Sequence, residues 1–418
     1  MNAEIITVGA GLVLGNTANT SGQFLSHELA AFGIEVTQVS AVGADEASVR
    51  QALRLALGRS DLVVLAGGLG QEPGGSVLEV VSQELSLPLE LHEDSYERIQ
   101  EYFVNTCRPM PPDAEKQARL PRGAAVFPND HGTAPGCAVS RYGQQIFLLP
   151  GEPRELMPMF SDYVAPYLSN CAGGTIVSRT VGVFGLTEAV LTERLADLMS
   201  EANPNVALYA KDGEAILRVT AHAANRADAL ALCAPVVDEI CRRLGVNVYG
   251  VDVGSLQKAV VALLLDKQMK IATAESCTAG LLSGRLTEVA GVSSVFECGI
   301  AAYSKEIKHN VLGVPNETLD RYGAVSPETA RAMAVGARRV DSAQLGVGIT
   351  GVAGPDTSEG KPVGTVYVAL ADEKRVWVKK IDTKDGAVDR EYVRYLAVAH
   401  ALDLVRRYLG ALPTVMAG

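Results

Sequence analysis

The chain has 418 residues, 48% apolar and 20% charged, with only 5% aromatic residues and a formal net charge of −11. Such a length exceeds one ordinary core and predicts two or three domains, while the composition excludes a disordered chain. Few aromatics favour helices and buried parallel strands of Ala, Val and Leu over an aromatic-rich sandwich, and the negative field opposes a phosphate backbone, so no nucleic-acid partner is expected.

In chain order, Ala3–Gly9 reads as a strand, Thr20–Gly33 as a helix through Phe24, Leu25, Leu29 and Phe32, and Val36–Val42 as a strand. Ala47–Leu57 reads as a helix and Asp61–Gly68 (DLVVLAGG) as a buried parallel strand ending in glycines. This alternation predicts a parallel or mixed sheet with ligand chemistry at the carboxyl ends of its strands. Short strands and turns follow over Lys116–Phe147, then QQIFLLPGEPRELM carries a strand through a Gly/Pro turn into a helix, and Ser169–Gly174 (SNCAGG) reads as a linker. From Thr175 to Val251 the order is strand Ile176–Val183, helix Thr187–Ser200, two strands about the turn Lys211–Glu214 and helix Arg226–Leu244, a small α+β unit. A third unit opens at Ser255 with a helix to Leu265, then strand Lys270–Ala274, a helix from Cys277, a strand toward Tyr303, and Gly346–Thr350. Strands Thr365–Leu370 and Val376–Ile381 and a long helix from Asp389 complete it. The expected domains are therefore 1–170, 175–251 and 255–410.

The seven cysteines are scattered without a C-x-x-C pair, and the six histidines lack ligand spacing, so no metal site or disulfide framework is expected. The basic residues Arg331, Arg338 and Arg339 read as a solvated helix face. The start MNAEIITVGAG lacks a signal-peptide pattern, and no apolar run approaches the ~20 residues that span a bilayer. A soluble, cytoplasmic protein with no membrane partner is the expectation.

Chemistry concentrates in KIATAESCTAGLLSGRL, Lys270–Leu286, where a strand delivers Ser276 onto a strand-to-helix turn. Free N–H groups there suit the oxyanion of a serine nucleophile or a substrate phosphate; Ser276 or Thr278 acting only as a helix cap is the plainer alternative. Cys277 is the rival nucleophile, but only His309 and His400 could serve it as base in this unit, so a buried, inert thiol is expected. Lys308 follows the strand ending at Tyr303, and a lysine of depressed pKa can activate serine, although most lysines are simply exposed. The glycine loop after Gly346–Thr350 lets backbone approach a ligand or is a plain turn. Arg390 and Arg394, one helical turn apart, could hold a phosphate or carboxylate, or be solvated.

The ordered motifs TAESCTAGLLSGRLT, FECGIAAYSKEIKHNVLGV, YGAVSPETARAMA, GITGVAGPD, KPVGTVYVAL and DREYVR, over Thr273–Arg394, resemble the C-terminal domain of the CinA (competence/damage-inducible protein A) family. That resemblance implies a nicotinamide-nucleotide amidase of the NAD salvage type, which hydrolyses nicotinamide mononucleotide to the nicotinate nucleotide and ammonia with no cofactor. It places Ser276 at the nucleophile position, Lys308 at the base, and Tyr303 and Arg390 at supporting positions. The candidate substrate-binding residues are Glu275, Thr278, Gly280, Thr350, Gly351, Gly354 and Arg390. Departures from the family pattern are Ala279 for the middle glycine of T-G-G, Lys305 for an asparagine, and Val388 for a glycine.

The N-terminal motifs LGNTANTSGQFL, GGLG, GTAPG and LPGEPREL resemble the family's molybdopterin-binding-like domain. The resemblance implies a pocket about Asn19, Gly67, Gly68, Gly70, Gly132, Thr133 and Gly136, and a divalent cation for ADP-ribose pyrophosphatase activity. Here the family's carboxylate positions hold Gly11, Ala44, Gly74 and Gly75, which predicts that the fold is kept and the cation and the pyrophosphatase are lost. Asp45, Glu46 and Glu72 are nearby but out of register. The middle unit resembles the family's KH-like domain without its G-x-x-G loop, implying a connecting or dimer-forming role, and a homodimer is expected. Two other readings are a nucleotide sensor without turnover and a bifunctional pyrophosphatase–deamidase.

Overall fold

Runs of Val, Ile and Leu with a two-residue alternation build the first sheet. The computed structural model describes the chain except residues 71–76, 172–174, 212, 341–342, 383–388 and 414–418, and divides it into two compact units, Met1–Ser178 with Thr220–Leu232 and Arg179–Val219 with Cys233–Gly418.

In the first unit, strands β1 (Asn2–Val8), β2 (Glu35–Val42), β3 (Leu62–Ala66), β6 (Ala125–Phe127), β7 (Gly136–Arg141) and β8 (Gln144–Leu149) form a six-stranded sheet in the order β2-β1-β3-β8-β7-β6. The first four are parallel, and β7 and β6 add an antiparallel edge. Successive side chains serve opposite cores, as a strand requires. Ile5, Val64 and Phe147 pack with Leu25 and Leu29 of helix Thr20–Ala31, whereas Ile6, Val63, Leu65 and Leu148 pack with Val49 and Leu53 of helix Glu46–Leu57.

Two regions of the first unit depart from the sequence expectation. Helices Val77–Leu85 and Glu93–Asn105 and strand β4 (Leu89–Leu91) lie where the sequence pattern assigns no element, and β4 pairs with β5 (Arg119–Pro121), which falls within the expected run of short strands. The second of these helices buries only Ser95 and Ile99, so its apolar signal is faint. Helix Ala165–Cys171 runs through the first half of the expected linker, whose remainder, 172–174, lies outside the described residues.

The middle sheet is β10-β11-β9-β12, from β9 (Thr175–Phe184), β10 (Asn205–Lys211), β11 (Glu214–Ala223) and β12 (Val248–Val251), with helices Glu188–Met199 and Arg226–Leu244. Residue 212 of its expected turn is outside the described residues.

The last sheet has the order β14-β13-β15-β16-β17, from β13 (Ile271–Glu275), β14 (Phe296–Ala301), β15 (Leu345–Gly351), β16 (Thr365–Ala371) and β17 (Val376–Asp382). β13 runs parallel to both neighbours, while β15, β16 and β17 are antiparallel. Helices Leu256–Lys267 and Arg390–Leu409 share one apolar core with it. Helix Pro327–Val340 lies so close to β15 that a Cβ on Gly346 would stand 2.1 Å from the Ala334 carbonyl oxygen, and one on Gly348 2.4 Å from that of Ala330. Glycine is thus obligatory at both positions. Among the described residues no helix is long and apolar enough to cross a membrane.

Candidate active site

Parallel pairing sets the site. Glu275 at the end of β13 pairs with Ala301 at the end of β14, so the residues that follow, Ser276 and Ala302–Tyr303, leave the sheet side by side. Ser304 caps the next helix, its hydroxyl accepting from the Ile307 N–H at 3.1 Å, and one turn further Lys308 folds back on the segment it came from. Lys308 is wholly buried, and its Nζ donates to Ser276 Oγ at 2.9 Å, to the Ala302 carbonyl at 2.8 Å and to the Tyr303 carbonyl at 2.9 Å. Burial drives its pKa down to about 8, with Cys277 and Glu359 pulling weakly the other way. An ammonium could donate to all three oxygens. A neutral amine fits equally, with two N–H bonds to the carbonyls and its lone pair toward the serine hydroxyl. The second state is a general base in contact with a nucleophile.

The turn carrying Ser276 differs from the expected one. The helix begins at Leu281 rather than at Cys277, and Gly280, φ +94°, is its N-cap with no side-chain cap of its own, so neither Ser276 nor Thr278 caps it. Glu275 does that work. Fully buried, it accepts from the N–H groups of Gly280, Leu282 and Ser283 at 3.1, 3.0 and 2.9 Å and from Ser283 Oγ at 2.7 Å. A carboxylate at a helix N-terminus is favoured by the orphan N–H groups and the dipole, and both oxygens are occupied. Glu275 therefore anchors the nucleophile turn from behind instead of facing a substrate.

Ala279 sits at φ +49°, which costs an L-residue roughly 1 kcal/mol; glycine, the family's usual residue there, adopts it freely. Ala279→Gly should therefore stabilise the fold by about 1 kcal/mol, read as a rise in thermal midpoint. A fall would contradict the left-handed conformation.

Thr278 is buried with its hydroxyl unpartnered among the described residues. Thr350 is also buried, but its hydroxyl donates to the Ala324 carbonyl at 2.7 Å, so it ties β15 to the loop before helix Pro327–Val340 and does not face a substrate. Gly351 ends β15 against Val366, and Gly354, φ +93°, packs on Val363, its carbonyl accepting from exposed Arg390. Tyr303 touches Lys308 through its main-chain oxygen, while the residue as a whole is 63% exposed. The buried Cys277 thiol is pushed up to about 11 by burial, which disfavours a thiolate. Of the two histidines, His309 Nδ1 bonds the Val314 carbonyl, and half-buried His400 is held down to about 3 by desolvation and two nearby cations, Lys379 and Arg407.

Two residues near this site had no reading as such from the sequence or a different one. Glu359 accepts from the N–H groups of Ala324 and Val325 at 2.9 and 3.1 Å and pairs with Lys305 at 3.2 Å. Arg394, read as a possible phosphate holder, is spent on the backbone, Nε donating to the Cys277 carbonyl and Nη2 to that of Thr278. Only fold geometry reveals this, since the two segments lie more than a hundred residues apart.

In the first unit, a cavity of about 360 Å³ lies at the carboxyl ends of β1, β3 and β8. Asn19, Gly67, Gly68, Gly70 and Thr133 line it; Gly132 and Gly136 do not, packing instead against Glu155 and Met159. Asn19 caps helix Thr20–Ala31 and bonds Thr7 Oγ1 at 2.9 Å. The residues fit a divalent cation poorly. Gly11 faces Thr17, Ala44 packs on the apolar core, and Gly74, Gly75, Glu72 and likewise Val388 fall outside the described residues. Asp45 caps helix Glu46–Leu57 through the Ser48 N–H, which lowers its pKa, and Glu46 pairs with Arg50. Glu152 and Glu155 stand at the wall; Glu155 accepts from Asn129 Nδ2 at 2.7 Å, and burial raises its pKa.

Fold and site together define a three-part α/β protein with a molybdopterin-type first sheet and a buried Ser–Lys pair in the last. Residues 253–409 match the family described as "CinA C-terminal domain", 4–170 "Probable molybdopterin binding domain" and 178–250 "Damage-inducible protein CinA KH domain". A CinA-like protein of Desulfovibrio desulfuricans is 48% identical over 99% of this chain and 97% of its own, and one of Dictyoglomus turgidum is 42% identical over 98% and 99%. Among solved structures, the competence/damage inducible protein CihA of Agrobacterium tumefaciens is 37% identical, covering 37% of this chain and 93% of its own at a TM-score of 0.35. The chain belongs to the CinA family.

Proposed function

We propose that the last domain hydrolyses the carboxamide of a nicotinamide nucleotide, with nicotinamide mononucleotide as substrate. The observation that carries this reading is the 2.9 Å contact between Ser276 Oγ and a wholly buried Lys308 whose pKa is brought to about 8. At that value about a tenth of the lysine is neutral at pH 7, enough for it to act as a base. Ser276 Oγ adds to the carboxamide carbon as its proton passes to Lys308 Nζ; collapse expels ammonia, which takes that proton. Water then hydrolyses the ester with the same lysine as base, so amide and water become acid and ammonia. Arg390, exposed beside the Gly354 loop, is placed to meet an anionic substrate group. Product analysis tests the assignment: equal amounts of ammonia and nicotinate mononucleotide are expected, with slower turnover of the phosphate-free riboside. Formation of free nicotinamide instead would mean glycosidic cleavage and refute it.

The first domain, on this reading, keeps its cavity without pyrophosphatase chemistry, because a diphosphate needs a cation to neutralise it and Asp45 and Glu46, the described carboxylates beside the family's ligand positions, are committed elsewhere. The full chain is expected to leave ADP-ribose intact with magnesium, manganese or cobalt. Turnover at the rate of its deamidation would show that other ligands serve. The middle domain is assigned a connecting or dimer-forming role in a soluble cytoplasmic protein.

A further inference from the structure

Arg394 stands one turn into helix Arg390–Leu409, near its positive end, where a cation gains nothing from the dipole and needs other partners to hold it. What holds it is the turn after Ser276. Nε donates to the Cys277 carbonyl at 3.1 Å and Nη2 to the Thr278 carbonyl at 3.0 Å, so one planar fork grips two successive peptide units. In a trans peptide the C=O and the N–H of one unit point in opposite directions, and the cis bonds among the described residues are Asn203–Pro204 and Gly354–Pro355. Turning the Cys277 carbonyl toward Arg394 therefore turns the Thr278 N–H away from it, and turning the Thr278 carbonyl does the same for the Ala279 N–H. The Ala279 N–H closes the turn on the Ser276 carbonyl at 3.2 Å. The N–H groups of Cys277 and Thr278 have no acceptor among the described residues, although both residues are buried. Buried peptide N–H groups without acceptors are rare and ask for a reason. These two directly follow the serine.

We infer that the Cys277 and Thr278 N–H groups form the oxyanion hole of the Ser276 reaction, and that Arg394 is the positioning residue that fixes the orientation of the Thr278 N–H. The inference rests on the proposed amide hydrolysis. When Ser276 Oγ bonds to the carboxamide carbon, the C=O π pair moves onto oxygen, and that oxygen accepts from the two N–H groups while Lys308 carries the serine proton. When the pair returns, the C–N bond breaks and ammonia leaves with that proton. Donors fixed in advance stabilise the charge without reorganising. Arg390 and Arg394, alike in sequence, thus have different tasks.

The test uses full-length Arg394→Gln and Arg394→Lys with nicotinamide mononucleotide, with the phosphate-free riboside, and with a fluorophosphonate whose reaction at Ser276 builds charge on a phosphoryl oxygen. For Arg394→Gln, kcat on both substrates should fall about 10²-fold with KM little changed, and Ser276 labelling should slow in parallel. Arg394→Lys, which keeps one donor, should fall between it and the wild type, and added guanidinium should restore part of the Arg394→Gln rate. Unchanged kcat, or a KM increase confined to the phosphate-bearing substrate, would overturn the inference, the latter making Arg394 a phosphate ligand. Should Arg394→Gln not fold, Arg394→Lys decides by the same criteria. A wild-type chain that deamidates no nucleotide sinks the underlying reading alone, because the labelling rates still report on the oxyanion hole.

Discussion

Ser276→Ala should reduce ammonia release from nicotinamide mononucleotide by roughly 10³-fold or more, the scale on which removal of a serine nucleophile acts, while thermal unfolding moves little. The small structural effect follows from the turn. Helix Leu281–Thr287 is capped by Glu275 and not by Ser276, so loss of the hydroxyl costs no cap. What remains is a buried Lys308 with its two carbonyl partners still in place. Activity near wild type, measured as ammonia release alongside circular dichroism, would remove Ser276 from the reaction.

Lys308→Arg should be comparably inactive for a different reason. Guanidinium keeps the charge and cannot be deprotonated near neutrality, so it can bond the carbonyls of Ala302 and Tyr303 and still accept no proton. The wild type should gain activity as pH rises through about 8 and lose it on acidification, because the neutral amine is the base. The variant should show no such limb. Stability carries the same signature. The folded-state pKa of Lys308 lies below its ordinary value of 10.5, so between about 8 and 10.5 the unfolded chain binds more protons, and this group's contribution to stability rises with pH across that window. Below about 8 both states are protonated and the cost of the buried charge is present in full. Denaturant midpoints of wild type and Lys308→Met against pH should therefore shift in favour of the wild type above pH 8. A pH-independent difference would mean that the lysine is not desolvated as described.

Much of this was legible from residues. Buried strands such as LVVLA at Leu62–Ala66 and the glycine-rich β15 announce themselves by composition, and helix Arg226–Leu244 has the bounds its periodicity predicts. Ser276 and Lys308 are legible as a pair because serine needs a base that a lysine of depressed pKa can supply and because the CinA motifs align with both; that parallel β13 and β14 bring them side by side is seen only in the fold. What the sequence hid is the direction of side chains across tertiary contacts. Glu275 precedes a serine and looks like a site residue, yet the left-handed turn at Ala279–Gly280 swings the helix N-terminus back onto its carboxylate. Thr350 looks like a loop donor and is consumed by Ala324. Arg390 and Arg394 share a helix face in the sequence, but only one reaches the serine turn. Helix Glu93–Asn105 was missed because polar residues surround the little it buries.

The most direct measurement is ammonia released from nicotinamide mononucleotide by the full chain in excess chelator, wild type beside Ser276→Ala. The account predicts steady release by the wild type, matched by nicotinate mononucleotide and rising with pH through about 8, and none above background by the variant. Equal rates in the two proteins, or wild-type release that stops when chelator is added, would contradict it.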